Sequence, residues 1–340
     1  KPPLPAWGTC WRARPHSRRP RPRYARIMVA HIPSPPANGF GVGPFFIHYY
    51  GLMYVIGIGL AIVITQRRWR ARGGDPALVT DVAVWAVPAG IIGARIYFDI
   101  TTPQYIPDHW YGVFEIWKGG LGVWGGIAAG ALAGVWRVRR RGQDVAAFAD
   151  AVAPALLVAQ AVGRIGNYFN KELFGGPTSV PWGLYIPPHF RPFGYLGFTY
   201  FHPTFLYELI FDLLLAAALV WLGHHRPVMA PGLFALYVTG YSAFRIYEES
   251  LRVDPSEHFL GLRFNSYVAI VLTVVGAVWF WRTQRPSRAA AGPANGDTPG
   301  GGRPQPAQNG TGEADGKPQP GQNGTGEADG KPQALSSQDG

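Results

Sequence analysis

The sequence predicts an all-α polytopic membrane protein, a bundle of about seven transmembrane helices with an outer-face region of loops and short helices. Three observations lead there. Residues 45–282 are dense in Leu, Ile, Val, Ala, Gly, Phe and Trp, in runs approaching the ~20 apolar residues that a spanning helix requires. Lys and Arg collect in alternate connections between those runs. Glycine recurs inside the runs, as expected where helices pack through small residues. A mean hydropathy near zero hides this, because polar ends are averaged with an apolar middle.

The expected spans are 45–66, 79–100, 119–136, 147–166, 204–223, 231–248 and 265–282. Arg67, Arg68, Arg70 and Arg72 follow the first, and Arg137, Arg139, Arg140 and Arg141 the third. His224, His225 and Arg226 follow the fifth, and Arg282, Arg285 and Arg288 the seventh. The other loops, 101–118, 167–203 and 249–264, carry few basic residues and many aromatics and prolines. By the positive-inside rule the chain starts outside and ends in the cytoplasm. Residues 1–44 read as a basic, Pro-rich extension whose arginines, Arg12 to Arg26, contradict an outside location. No apolar stretch with a cleavage site makes them a signal peptide, so the functional start is expected near Met28. Residues 283–340 read as a disordered cytoplasmic tail, with QNGTGEADGKPQ starting at Gln308 and again at Gln322.

Composition also excludes chemistry. Cys10, outside the apolar region, is the only cysteine, which rules out disulfides, Cys-based metal sites and a core cysteine nucleophile. The formal charge of +11 sits beside apolar runs, a pattern of cytoplasmic loops and anionic lipid rather than of nucleic-acid binding. No metal or organic cofactor is indicated.

Polar residues gather at the predicted outer ends of the spans. VGRIGNYFNKELFGG, Val162–Gly176, places Arg164, Asn167, Asn170 and Glu172 at a helix mouth. Hydrocarbon penalises an Arg or Asp at its centre by about 2.5–3.5 kcal/mol, so such a group is kept for use. His48, Tyr49 and Tyr50 open the first span, Tyr49 equally well as part of an aromatic belt. Arg95 and Asp99 share a helix face and read as a structural ion pair. GGLGVWGG, Gly119–Gly126, with Gly119 and Gly120 at its start, allows close approach of a backbone or a ligand, or plain helix packing. His202-Pro203 opens the fifth span, with Tyr207 and Glu208 one turn inside. FRIYEESLRVD aligns Arg245, Glu249 and Arg252 on one face; a merely structural pair needs no second arginine. Arg164 and Arg245 reach the same leaflet from different spans and repel unless an anion lies between them. A phosphate suits them, because Arg–phosphate bonds are bidentate and charge-assisted. With Trp182, Tyr185, Phe190, Phe193, Tyr195, Phe198 and Tyr200 as a headgroup-level collar, the residues point to a membrane enzyme or carrier handling a phospholipid headgroup on the outer leaflet.

The chain resembles the prolipoprotein diacylglyceryl transferase family over residues 40–282. GRIGNYFNKELFG is the most specific string, with HYYGLMY, GGLGVWGG, HPTFLYE and FRIYEESLR in the family's order. The resemblance implies transfer of the diacylglyceryl group of phosphatidylglycerol to the lipobox cysteine of a prolipoprotein signal peptide, forming a thioether and releasing glycerol phosphate. It implies a multi-pass bacterial cytoplasmic membrane protein, working as a monomer, whose thiol nucleophile belongs to the substrate. Arg164 and Arg245 match the family's essential arginines; Tyr50, Asn167, Glu172, Gly175, Glu249 and Arg252 match other signature positions. The expected roles are Arg164 and Arg245 on the phosphate, Asn167 and Tyr50 on the glycerol, and Glu249 orienting an arginine. Asn170, Gly119, Gly120 and Arg252 complete the expected lipid contacts. Where many members have a histidine in the glycine-rich string, this chain has Trp124. The base is then His48, His202 or a carboxylate such as Glu249, or the arginine field alone lowers the thiol pKa. The rival reading is a phospholipid transporter or scramblase with an arginine-lined cavity, and inverted repeats would favour it.

Overall fold

The computed structural model describes residues 31–285 except 107–108, 110, 117–118 and 255–257. The expectations about Met28, the N-terminal arginines and the duplicated tail lie outside these residues. Long helices dominate: α1 Tyr49–Arg70, α2 Ala77–Thr101, α3 Val123–Arg140, α4 Val145–Asn170, α5 Thr204–His225, α6 Gly232–Leu251 and α7 Phe264–Gln284. Five of them, α1, α2, α4, α5 and α7, are long and apolar enough to cross a membrane. α3 has 18 residues and ends in Arg137, Arg139 and Arg140, whereas α6 carries Arg245, Glu248 and Glu249. α1 also ends in arginines, but its 22 residues leave an uncharged stretch of span length ahead of them, which α3 and α6 lack.

Three small antiparallel hairpins interrupt the helices, each at the same end of the bundle. β1 Gly39–Val42 pairs with β2 Phe45–His48 ahead of α1; β3 Leu184–Tyr185 pairs with β4 Tyr200–Phe201 between α4 and α5; β5 His258–Phe259 pairs with β6 Leu262–Arg263 between α6 and α7. Residues 45–48, expected in the first span, are therefore strand. Gly43 turns the chain at φ 57°, and the helix begins only after His48. Gly119 and Gly120, expected at the start of the third span, lie before α3 at φ 95° and 81°, which a right-handed helix does not admit. At the opposite end α1 and α3 run on through Arg70 and Arg140, since arginine is a good helix former and its stem lies along apolar surface while its head reaches water.

The bundle has its polarity reversed relative to a water-soluble protein. Val55, Leu132, Leu214 and Val274 are exposed, while Arg95, Glu208, Asp212, Ser242, Glu248 and Glu249 are buried. That is the distribution a lipid solvent selects. α2 packs on α3, α1 on α4, α4 on α5, and α6 on α7. The α2–α3 contact is backbone-close: a Cβ on Gly93 would stand 2.3 Å from Ala129 Cβ and 2.6 Å from the Gly125 carbonyl oxygen. Near the arginine-rich end, Asp81 of α2 pairs with Arg137 at 2.7 Å and Arg141 at 2.5 Å. Asp150 of α4 accepts the Phe234 amide of α6 at 2.8 Å.

At the hairpin end the α4–α5 connection folds over a small core of Phe174, Leu184, Ile186 and Phe201. Ile32 joins it, donating to the Gly183 carbonyl at 3.0 Å and accepting from the Tyr185 amide at 2.9 Å. This cap positions Gly175 and His202 beside the ends of α4 and α6.

Candidate active site

α4, α5 and α6 converge on one buried charge cluster at the hairpin end. Arg164, near the end of α4, reaches Glu208 Oε1 of α5 at 2.6 Å. Arg245 of α6 reaches Glu208 Oε2 at 3.3 Å and also binds Glu248 and Glu249. Glu208 is fully buried, and the Tyr241 hydroxyl donates to it at 3.0 Å. Sequence reasoning required an anion between Arg164 and Arg245; in the structure that anion is the Glu208 carboxylate. Both arginine side chains keep 16% of their surface accessible.

The network continues through the α6–α7 connection. Glu249 binds Arg252 at 3.1 Å and Arg263 at 2.8 Å; Asp254 binds the same two arginines at 2.7 and 2.8 Å. Glu249, Arg252, Asp254 and Arg263 thus close a ring of alternating charge. Burial pushes the Asp254 carboxyl up, but its two arginines outweigh this and hold it below the usual carboxylate range. Glu249, expected to orient an arginine, contacts Arg245, Arg252 and Arg263 together.

A second branch leaves Arg164 on its other side. Its Nη1 donates to Asn167 Oδ1 at 3.2 Å, and Asn167 Nδ2 donates to Glu172 Oε1 at 2.8 Å. Asn170 Nδ2 donates to the same oxygen at 3.2 Å. Asn170 is the last residue of α4, and Lys171 caps it at φ 56°, which turns Glu172 back toward the helix. Tyr50 belongs here too: its ring covers Gly166, where a Cβ would stand 2.6 Å from Tyr50 Cδ2. Its hydroxyl is 3.0 Å from that of Tyr54. Gly175 is required by space, since an added Cβ would lie 2.8 Å from His202 Cβ and 3.1 Å from the Leu251 carbonyl oxygen. Its amide donates to the His202 carbonyl at 2.9 Å, and it bridges to Arg252.

The histidines are set differently. The Trp182 indole donates to the Tyr207 oxygen at 3.0 Å, and Tyr207 lies 3.1 Å from His202 Nδ1. In that contact either Tyr207 or His202 donates, according to the histidine tautomer. Burial lowers the His202 pKa below that of a free histidine. His48 is exposed at the N-cap of α1 and packs edge-on against Phe46, and its side chain makes no hydrogen bond among the described residues.

Gly119 and Gly120 join a separate group. Arg95 donates to the carbonyls of Gly112 and Val113 at 2.7 Å each, Gly119 at 2.9 Å and Gly120 at 3.3 Å, while pairing with Asp99 at 3.0 Å. The Arg95–Asp99 ion pair is therefore present, and the arginine also fastens the loop before α3. The sequence reading singled out neither Glu248, Asp212, Tyr241 nor Arg263. The signals were Asp212 at i+4 from Glu208 on an apolar helix, and the doubled glutamate before Ser250.

The prolipoprotein diacylglyceryl transferase family model matches residues 38–282. A Bifidobacterium adolescentis protein named phosphatidylglycerol–prolipoprotein diacylglyceryl transferase is 44% identical, covering 75% of this chain and 80% of its own. Proteins of the same name from Cutibacterium acnes and Rhodococcus jostii are 45% and 42% identical, over 77% and 81% of this chain and 91% and 81% of theirs. The converging arginines, the Arg164–Asn167–Glu172 chain and the glycine packed under His202 all fall inside the matched span, and the chain belongs to the prolipoprotein diacylglyceryl transferase family.

Proposed function

We propose that this protein transfers the diacylglyceryl group of phosphatidylglycerol to the lipobox cysteine thiol of prolipoproteins. The carrying observation is the pair Arg164 and Arg245, brought from different helices onto one carboxylate and each left partly accessible. In the reaction the thiol sulfur attacks the glycerol carbon, its C–O bond to phosphate breaks, and glycerol phosphate departs with the bonding electrons. The thiol proton is released as the thioether forms. Guanidiniums that bind the growing phosphate charge lower that barrier.

Arg164 and Arg245 take the phosphate, and Asn167 and Tyr50 position the glycerol, with Asn170 and Glu172 holding Asn167 in orientation. Glu249 stabilises Arg245 from behind and is itself held by Arg252. His202 is held to Tyr207 through Nδ1, and burial favours its neutral form. A substrate thiol of pKa about 8.5 then ionises in the arginine field. The protein lies in the bacterial cytoplasmic membrane as a seven-pass monomer, its hairpin end toward the outer leaflet and its arginine-rich end, with the C-terminus, cytoplasmic. The carrier reading has no specific observation in its favour. Incubating purified protein with labelled phosphatidylglycerol and a lipobox peptide tests the assignment by mass spectrometry. Peptide without diacylglyceryl mass, where a relative's enzyme works alongside, would refute it.

A further inference from the structure

Asp212 is the buried charge that the proposed reaction leaves unused. It lies one turn deeper than Glu208 on the same face of α5 and is fully buried. Neither of its carboxyl oxygens has a hydrogen-bond partner among the described residues. The charged and titratable groups facing it are Arg164 from α4, Glu208 on its own helix, and Tyr237, Arg245 and Glu248 from α6. Beside it, Arg164 and Arg245 are held by Glu208, Glu248 and Glu249, and Glu208 is hydrogen-bonded to Glu248. An ionised Asp212 would be an anion with no hydrogen-bond donor among the described residues, in a span where an unpaired buried charge is strongly disfavoured.

Phosphate binding creates the complementary problem. For a phosphodiester to take the guanidinium edges that Arg164 and Arg245 now give to Glu208, that carboxylate must leave them, and a fully buried Glu208 has no water to move into. We propose that Asp212 is a positioning residue: as a neutral acid it donates its O–H to the Glu208 carboxylate that the lipid phosphate displaces from the two guanidiniums. The two side chains then share one proton in an O–H···O⁻ hydrogen bond, about twice as strong as a neutral one. No proton enters or leaves the protein in this exchange. Glu208 becomes an internal competitor for the headgroup site, and Asp212 its resting place during occupancy. The inference rests on the phosphatidylglycerol reading and names how that site opens.

The test is a cycle of equilibrium binding and transfer measurements with the full chain in nanodiscs and labelled phosphatidylglycerol. Asp212→Leu removes the donor and is expected to weaken phosphatidylglycerol binding about tenfold, the scale of one lost charge-assisted bond. Asp212→Asn keeps an N–H donor and is expected to bind within about twofold of wild type. In a Glu208→Gln background no carboxylate needs a resting place, so Asp212→Leu is expected to change nothing further. In infrared difference spectra of lipid binding, the carboxylic-acid C=O band is expected to shift in the wild type and to vanish in Asp212→Asn. Three results overturn the proposal: an effect of Asp212→Leu that is the same with and without Glu208→Gln, no effect of Asp212→Leu at all, or Asp212→Asn binding as poorly as Asp212→Leu. Wild-type protein that never transfers lipid sinks the functional reading instead; normal transfer with unaffected Asp212 variants sinks only this one.

Discussion

Replacing Arg245 with lysine separates positive charge from guanidinium geometry. Arg245 spans three carboxylates at once: Nη1 faces Glu208 at 3.3 Å and Glu248, and Nη2 faces Glu249. A lysine ammonium is a single point that keeps the charge but cannot hold both a phosphate and this set of carboxylates. At least one charge-assisted bond is lost, worth about 1.5–3 kcal/mol. If it is lost only in the transition state, the transfer rate falls about 10- to 150-fold. Glu248 is almost wholly buried and its ion pair is with Arg245, so Arg245→Ala strips that partner and is expected to destabilise the protein by about 3–5 kcal/mol. Lysine is therefore the cleaner probe. Initial transfer rates at saturating phosphatidylglycerol, alongside thermal unfolding in detergent, distinguish the two effects. Full activity in Arg245→Lys would show that bidentate geometry at this position is irrelevant.

Other outcomes follow from the same contacts. Arg95→Leu leaves the Gly112, Val113, Gly119 and Gly120 carbonyls without their donor, and limited proteolysis is expected to cut residues 103–120 markedly faster. Gly166→Val drives a side chain into the Tyr50 ring and is expected to raise the KM for phosphatidylglycerol with little change in the helical circular dichroism. Asp254 gives a signed pH dependence. Its depressed carboxyl contributes stability that is complete above the unfolded value of about 3.9 and lost as pH falls through its lower folded value. Asp254→Asn should remove that component from acid-unfolding curves; an unchanged acid limb would contradict the ion-pair ring.

The helices were legible because lipid demands long apolar runs, and their arginine-marked ends were legible because basic residues avoid one side of a membrane. The first-span boundary was misplaced because Phe45-Phe46-Ile47 is as apolar as the helix that follows. Only the Gly43-Pro44 turn distinguishes strand from span there. Arg164, Asn167, Glu172 and Arg245 were legible as polar residues that hydrocarbon does not tolerate idly. Their partner was not. Glu208 was noticed one turn inside α5, but nothing in a linear sequence says that it lies between arginines of α4 and α6. For Gly119 and Gly120 nothing in the sequence indicated that Arg95, 24 and 25 residues away in the chain, donates to their carbonyls. Arg263 escaped notice because a lone arginine after a loop resembles any surface charge; its burial against Glu249 is a property of the fold.

The most direct test of the central claim is transfer of label from phosphatidylglycerol to a lipobox peptide by wild type, Arg164→Ala and Arg245→Ala, all confirmed as folded. The account predicts thioether-linked diacylglyceryl on the peptide and released glycerol phosphate from the wild type, with both products lost or greatly reduced in either variant. Wild-type rates from folded protein lacking either arginine would contradict it, because no other pair of guanidiniums in the described structure shares the Glu208 carboxylate.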